Sequence, residues 1–276
     1  MGDVFELAEA NGPRIRAEYA TIVQQLAPDT SAEDLSSRVR TSAQIAINMR
    51  PHVAAAFFRT NYYGNIYEVA HRTSKLSGRD PDRELRRVLG KFYDKRIAFD
   101  RAMNLSTNIV YAALNMGGLG CYTYGHICVV LSGRAINKPG IAYLRADSLL
   151  NYVDDTGKVN EDRISCDVCL SDAVAHLVCI KHVSDPKFAD SLSWPEMICN
   201  DKIYIEAFLL SRPVVEEVCE IRIAKHKYDE FMDLALCSSY RSPNGDAERA
   251  LSQDFIDVIL AAKERGVRIV VIEAMS

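Results

Sequence analysis

Short apolar runs alternate with helical patterns along most of the chain after residue 62. Runs rich in β-branched and aromatic residues predict strands at 66–69, 109–114, 126–131, 141–144, 203–210, 218–223 and 267–273. Helical patterns interrupt them: the clearest spans 82–103, and another follows Asp246 as an N-cap and ends at Gly266. Helices inserted between dispersed short strands predict an α+β domain over residues 63–276.

The first 62 residues show a different pattern, which predicts an N-terminal helical lobe over 1–62. Gly12-Pro13 punctuates its start, and Ser31 with Asp34 three residues later is a capping-box signature. Pro51 suits the first turn of a further helix. We therefore expect this lobe to stand apart from the strand-containing domain.

Composition and charge narrow the class of protein. The chain has 276 residues, 48% of them apolar and 25% charged, and its net charge is −4. Such values are typical of globular proteins and argue against nucleic-acid binding, which usually requires Lys and Arg concentrated on one surface. Apolar runs fall short of the roughly 18 residues of a membrane span. We expect no nucleic-acid partner and no membrane partner.

The N-terminus and the cysteines indicate the compartment. Residues 1–10 carry acids where a secretory signal would carry basic residues, so we expect synthesis in a cytosol without export by the general secretory route, and a specialised secretion system stays open. The eight cysteines lack paired spacing and are interpreted as reduced thiols. Cys166 and Cys169 form a lone CxxC that would need partners such as His176 and His182 to bind zinc. No metal site is predicted.

A first cluster of candidate binding residues ends the predicted strand at 66–69. It contains His71, Arg72 and Thr73. Arginine can hold a phosphate or pyrophosphate with two parallel hydrogen bonds, and a strand would present it rigidly. A surface arginine at a strand end is the alternative interpretation.

A second cluster lies at 111–125 and is rich in glycine and tyrosine. Its glycines would let a ligand approach the backbone, and Asn115 offers a donor and an acceptor. Tyr111 and Tyr124 offer flat surfaces for a nicotinamide or adenine ring. A glycine turn that joins two strands would explain the same residues.

A third cluster is the run Tyr204-Ile205-Glu206-Ala207-Phe208, in which a carboxylate interrupts a β-prone apolar segment. An isolated buried carboxylate is costly, so such a residue is usually paired or functional. On a solvent-facing edge strand the same residue would have neither role.

Taken in order, these clusters resemble bacterial mono-ADP-ribosyltransferases of a toxin-like branch. The resemblance runs from about residue 66 to the C-terminus. It rests on Arg72-Thr73 with Gly78, on a YGALN-like segment at 111–115, on Tyr124-Gly125, on a GDS-like Asp147-Ser148 and on a YIEAQ-like segment at 204–208. Within this branch the CteC-like ubiquitin-threonine ADP-ribosyltransferases are the most specific match.

The resemblance implies a fold, a reaction and a location, namely synthesis in a bacterial cytoplasm and secretion by a specialised system into the host cytosol. The fold is an ADP-ribosyltransferase-like split β-sheet core with helical inserts, and the reaction transfers ADP-ribose from NAD to a host protein such as ubiquitin. Arg72 would anchor the NAD phosphates, with His71, Thr73, Tyr111, Asn115, Tyr124 and Asp147 as further NAD-binding residues. Glu206 would bind the nicotinamide ribose and stabilise an oxocarbenium-like transition state.

Three departures from the family pattern bear on the acceptor. Phe208 replaces a common Gln, and Ala112 replaces the Gly of Tyr-Gly. Arginine-modifying relatives carry Glu or Gln two residues before the catalytic Glu, where this chain has Tyr204. We therefore expect an acceptor other than arginine, with a hydroxyl such as that of threonine as the leading candidate.

Two residues compete for the assigned roles. Arg145, in a run similar to the first strand of cholera-toxin-like enzymes, could anchor NAD in place of Arg72. Glu220, at the head of the predicted strand 218–223, could replace Glu206 as the catalytic acid. Two other functions stay open, namely an NAD glycohydrolase that uses water and a non-catalytic interaction protein in which Arg72 and Glu206 merely pair.

Overall fold

The computed structural model describes residues 3–26, 29–105, 107–133, 139–237 and 245–273. Eight strands run through the described chain: β1 Gln44–Met49, β2 Val110–Asn115, β3 Ile127–Leu131, β4 Ile141–Leu144, β5 Val168–Leu170, β6 Glu206–Leu209, β7 Val218–Ala224 and β8 Arg268–Ile272. They form one open sheet in the order β5-β4-β6-β2-β1-β3-β7-β8. All neighbours are antiparallel except β7 and β8, which are parallel.

Helices flank and connect these strands. They are α1 Val4–Leu26, α2 Ser31–Ser42, α3 Pro51–Thr60, α4 Ile66–Ser77, α5 Pro81–Leu89, α6 Tyr93–Ala102, α7 Ser148–Asn151, α8 Glu161–Asp167, α9 Val174–His182, α10 Trp194–Ile198, α11 Lys225–Cys237 and α12 Gly245–Glu264. None of the described helices is long and apolar enough to cross a membrane. The α+β class is confirmed.

The two faces of the sheet differ in chemistry. Side chains alternate between faces along a strand, and directly paired residues share a face. One face carries Ile45, Ile47, Val129, Ile221 and Ile223, which join the main hydrophobic core. The opposite face carries polar residues, of which Asn115, Glu206, Glu220 and Arg222 are buried and Gln44 and Tyr111 are half-buried. The candidate site is built on this polar face.

Most predicted strands are confirmed to within a few residues. The segments 109–114, 126–131, 141–144, 218–223 and 267–273 correspond to β2, β3, β4, β7 and β8. The segment 203–210 is a strand only over Glu206–Leu209. β5 was not predicted, because three residues are too short to show a period.

The prediction of a helical lobe over residues 1–62 is wrong for residues 44–49, which form β1. This strand pairs with β2 on one side and with β3 on the other, so the N-terminal segment supplies a central strand of the sheet. Pro51 begins α3 as expected. Gly12-Pro13, expected at a helix start, lies inside α1. The N-cap position of α2 is Thr30, one residue before the predicted Ser31, and its side chain makes no capping hydrogen bond.

The predicted strand at 66–69 is also wrong, since these residues begin helix α4. Asn65 caps this helix: its side chain accepts a hydrogen bond from the backbone N–H of Glu68, and the Glu68 carboxylate accepts one from the backbone N–H of Asn65. Such a capping box stabilises a helix start strongly enough to outweigh β-branched residues. The predicted helix at 82–103 is divided at Gly90 into α5, a short 3-10 helix and α6. Helix α12 begins at Gly245, just before the expected N-cap Asp246.

Candidate active site

Glu206 lies at the start of β6, buried on the polar face of the sheet. It is paired with Ala113 of β2 on one side and with Leu144 of β4 on the other, and only 4% of its surface is exposed. Its Oε2 accepts a hydrogen bond of 2.7 Å from the backbone N–H of Ser148. Burial raises the pKa of the Glu206 carboxyl to about 7, opposed by the positive charge of Arg96 and reinforced by the nearby Asp147. The carboxyl therefore titrates near neutral pH.

Arg96 of α6 is the charged neighbour of Glu206. Its Nη2 lies 3.6 Å from Oε1 of Glu206, and its Nη1 lies 3.4 Å from Oδ1 of Asp100, one helical turn later. The guanidinium stacks over the ring of Tyr111, 3.8 Å from the ring centroid. Arg96 is thus a buried cation held between two carboxylates and one aromatic ring.

Two tyrosine hydroxyls converge on Asp100. Tyr111 donates to Oδ1 at 2.6 Å, and Tyr67 of α4 donates to Oδ2. Burial together with the Asp100 charge raises the pKa of Tyr67. Both tyrosines consequently stay protonated donors and hold Asp100 in one orientation.

Asp147 forms the second carboxylate of the site, next to Glu206. Its Oδ1 accepts hydrogen bonds of 2.8 Å from the backbone N–H groups of Leu149 and Leu150, which caps α7. Its Oδ2 accepts from the hydroxyls of Tyr204 and Tyr124, the latter at 3.3 Å. Asp147 therefore orders the short helix whose first residue, Ser148, binds Glu206.

Tyr124 connects this buried group to solvent. Its residue surface is 59% exposed, while its hydroxyl lies 3.3 Å from that of Tyr204. Burial of the hydroxyl end raises the pKa of Tyr124 to about 12, so this group is neutral at physiological pH. An aromatic ring open to solvent thus borders a cluster of buried carboxylates.

Two buried polar atoms beside Glu206 lack partners. By their geometry, Nε of Arg96 and Oγ of Ser148 make no full hydrogen bond within the described part of the chain, although the Ser148 hydroxyl lies close enough to Glu206 to lower the pKa of that carboxyl. Buried polar groups are almost always satisfied, so such atoms call for water or a ligand. Both belong to residues that contact Glu206 directly.

Glu220, the predicted rival of Glu206, has a different environment. It shares the face of Glu206 but lies on β7, four strands away, which corresponds to roughly 19 Å at about 4.8 Å per strand. Its two oxygens pair with Arg222 and Arg268. Glu220 is therefore the centre of a separate buried ion-pair network.

Asn115 belongs to that second network rather than to the Glu206 group. Its Oδ1 accepts from the backbone N–H groups of Gly117 and Gly118 and from Nη1 of Arg222, the last at 3.0 Å. Arg222 also donates to the carbonyl of Gly118 at 2.9 Å. These bonds shape the glycine turn that follows β2, which is the structural role foreseen as the alternative for this cluster.

Arg72, His71 and Thr73 lie on helix α4 instead of a strand. The Arg72 guanidinium is exposed and stacks on Tyr62, 4.7 Å from the ring centroid. Tyr62 in turn contacts Arg212, beyond the end of β6 opposite to Glu206. Within the described residues no contact joins Arg72 to Glu206, so the structure does not bring the expected pair together.

The rival anchor Arg145 lies at the end of β4, partly exposed. Its Nη1 is 3.6 Å from Oδ1 of Asp167, and its Nη2 donates to the carbonyl of Ile180 at 3.4 Å. Asp167 thus engages Arg145 on the side away from the Glu206 cluster.

Sequence reasoning identified Glu206, Tyr111, Tyr124 and Asp147 of this site and missed the two residues that hold it together on α6. Arg96 and Asp100 are spaced by four residues, an ordinary helical ion pair that carries no signal by itself.

The described residues contain no group of three or more His, Cys, Asp or Glu arranged to hold a metal ion. Cys169 is buried in β5 and Cys166 is exposed.

Comparison with known proteins gives no assignment. No protein-family model matches the chain, and no curated protein matches it.

Proposed function

We propose that the chain is an NAD-dependent mono-ADP-ribosyltransferase with Glu206 as its catalytic carboxylate. The observation that carries the proposal is a buried glutamate at a strand start, fixed by Ser148 and Arg96 and bordered by the exposed ring of Tyr124. Motif order in the sequence supports the same residue. The proposal includes an ADP-ribosyltransferase-like origin of the sheet and a role as a bacterial effector, both of which rest on the resemblance alone.

In this reaction Glu206 accepts a hydrogen bond from a hydroxyl of the nicotinamide ribose. Its negative charge then stabilises the positive charge that develops on the ribose as nicotinamide leaves. Such stabilisation is strongest where water is excluded, and Glu206 is nearly fully buried. The exposed ring of Tyr124 offers a flat surface for a planar group such as nicotinamide.

The acceptor in this proposal is a hydroxyl group, such as a threonine of ubiquitin. Tyr204 stands where arginine-modifying relatives carry an acid or amide, and its hydroxyl donates to Asp147. Asp147 is already engaged by two tyrosines and two backbone N–H groups, so its carboxylate is not open to receive a guanidinium. The proposal rests on Glu206 and not on Arg72, which contacts other residues.

The test is incubation of the protein with NAD and ubiquitin, or with a cell lysate, followed by mass spectrometry of intact proteins. The expected result is an added mass of one ADP-ribosyl group that is lost with Glu206→Gln. Glu220→Gln, compared per folded molecule because it also destabilises the protein, is the matched control, since it removes a buried glutamate on the same sheet face at a distance. Labelling that survives Glu206→Gln and disappears with Glu220→Gln would transfer the role to Glu220.

NAD hydrolysis is the second candidate, and the depth of Glu206 favours it. With 4% of its surface exposed, Glu206 is reached more readily by water than by a side chain of another protein. Free ADP-ribose with no labelled protein would select hydrolysis. A ligand that binds the folded state must stabilise it, so NAD that binds must raise the melting temperature. If millimolar NAD is not consumed and does not raise the melting temperature, both reactions are excluded. The cluster around Glu206 is then a structural ion-pair network.

A further inference from the structure

Arg96 lies between Glu206 and Asp100 and has no assigned role. We propose that Arg96 is the positioning residue of this site, which holds the Glu206 carboxylate in place and keeps it ionised for the reaction proposed above, on which this inference rests. Its Nη2 is 3.6 Å from Glu206. Arg96 would thereby act on the substrate through Glu206.

The surroundings of Arg96 fix the guanidinium before Glu206 is considered. The guanidinium lies over the ring of Tyr111, 3.8 Å from the ring centroid. Asp100, on the same helix as Arg96, pairs with the guanidinium at 3.4 Å. Asp100 is itself held by the hydroxyls of Tyr67 and Tyr111. Residues of α4, α6 and β2 therefore place one cation at a defined position on the polar face of the sheet.

The charges around Glu206 show why a cation is required there. Burial and the Asp147 carboxylate both favour the protonated form of Glu206, whereas Arg96 and the Ser148 hydrogen bond favour the ionised form. Within the described chain, Arg96 is the one cation paired with Glu206. The titratable groups that face this region from the surrounding elements are Arg96, Asp100, Tyr111, Tyr67, Asp147, Tyr204, Tyr124, the thiol of Cys121, which interacts with the Glu206 charge, and, through the backbone carbonyl of Tyr204, Lys181.

Loss of the Arg96 charge therefore has a specific consequence. The pKa of Glu206, already raised to about 7 by burial, rises further. Each unit of increase lowers the ionised fraction about tenfold at a pH below the pKa. Activity is then lost at neutral pH and recovers at alkaline pH, a pattern that a merely structural defect does not produce.

The first measurement needs no NAD. Carbon-13 NMR of protein labelled at the glutamate carboxyl gives the titration of Glu206, whose resonance is identified by its loss in Glu206→Gln. Arg96→Gln is expected to raise this pKa by about one unit or more, and Arg96→Lys to keep it close to that of the unaltered protein. An unchanged Glu206 titration in folded Arg96→Gln overturns the inference whatever the reaction is.

A matched control comes from Arg163, which has the same kind of contacts elsewhere. It pairs with Asp167 four residues later at 3.5 Å and lies over the ring of Tyr152, 5.0 Å from the centroid. Arg163→Gln is expected to leave the Glu206 titration unchanged. If it shifts the titration as much as Arg96→Gln does, the effect is one of net charge and the inference fails.

The second measurement is the pH dependence of kcat/KM for NAD cleavage. The acidic limb of this profile is expected to lie at higher pH in Arg96→Gln than in the unaltered protein. In Arg96→Lys it is expected to lie at the same pH as in the unaltered protein. If the unaltered protein cleaves no NAD at any pH while the titration shifts as expected, the proposed function fails and the electrostatic role of Arg96 stands. If Arg96→Gln does not fold, Arg96→Lys is the deciding variant. A kcat/KM within about threefold of that of the unaltered protein supports the inference. A kcat/KM reduced more than about tenfold at every pH, while Glu206 titrates normally, overturns it.

Discussion

The backbone N–H of Ser148 donates to Oε2 of Glu206 across 2.7 Å, although 58 residues separate them in the chain. One hydrogen bond thus joins the start of α7 to the start of β6. Asp147, the preceding residue, caps the same helix end. The geometry of the candidate carboxylate therefore depends on a cap that lies beside it.

Replacement of Glu206 by Gln should remove a pH dependence of stability. The Glu206 carboxyl has its pKa raised on folding from an ordinary value of 4.5 to about 7 by burial, so the folded chain binds this proton more tightly than the unfolded chain. Its contribution is fully present below pH 4.5 and is lost as the pH rises through 7, by up to about 3 kcal/mol. Urea unfolding at pH 5 and pH 8 should show the free energy of unfolding falling more steeply in the unaltered protein than in Glu206→Gln. Parallel pH profiles of the two proteins would contradict this prediction.

Replacement of Arg72 by Ala should leave NAD cleavage nearly unchanged. Arg72 stacks on Tyr62 at the helix surface and has no contact with the described Glu206 cluster. Surface substitutions usually change the free energy of unfolding by no more than about 0.5 kcal/mol, so the variant should also remain folded. The measurement is steady-state NAD consumption, with Glu206→Gln as the inactive reference. A loss comparable to that of Glu206→Gln would restore Arg72 as the NAD anchor expected from the sequence.

Two substitutions of Asp147 should separate its capping role from its charge. Asp147→Asn keeps an oxygen that can accept from the backbone N–H groups of α7, whereas Asp147→Ala removes it. Loss of an N-cap costs about 1 kcal/mol, so the Ala variant should be less stable than the Asn variant by about that amount. Equilibrium urea unfolding gives both values. Equal stabilities would show that the cap contributes nothing and that the tyrosine contacts of Asp147 dominate.

Replacement of Glu220 by Gln should affect stability more than activity. It leaves the buried Arg222 without its charge partner, and removal of one member of a buried ion pair costs about 3–5 kcal/mol. NAD cleavage per folded molecule should persist, because Glu220 lies four strands from Glu206. Glu216→Gln, which removes an exposed partner of Arg265, is the control and should leave the unfolding midpoint unchanged. A Glu220→Gln protein that is fully stable and inactive would point to Glu220 as the catalytic acid.

The strands that sequence could predict are those bounded by clear turn signals and dominated by apolar residues, such as β3 and β7. β1 was missed because its run, Gln44-Ile45-Ala46-Ile47-Asn48-Met49, is only six residues long, shows no strict alternation of polar and apolar residues and lies between two helical patterns. The residues of α4 were predicted as a strand because Ile66 and Val69 favour β structure. The Asn65 and Glu68 pair has the spacing of a capping box, which indicates a helix start.

The site divides in the same way. Glu206 could be found because a carboxylate in an apolar β run stands out locally, and its burial on the polar face is as expected for such a residue. Arg96 could not be found, because its contacts with Tyr111 and Glu206 arise only when α6 packs against β2 and β6. The expected role of Arg72 depended on the wrong strand at 66–69. Arg72 lies on the surface of helix α4 and not at the end of a strand of the sheet.

The position of β1 in the sheet sets a limit on how the chain can be divided. A fragment that begins at residue 63 would lack the strand between β2 and β3, so each of these strands would present an unpaired edge. Exposed apolar edges recruit strands from other molecules, and such a fragment should aggregate rather than fold. Deletion mapping from the N-terminus would therefore report loss of solubility at β1, and a missing activity in such fragments would say nothing about the chemistry of Glu206.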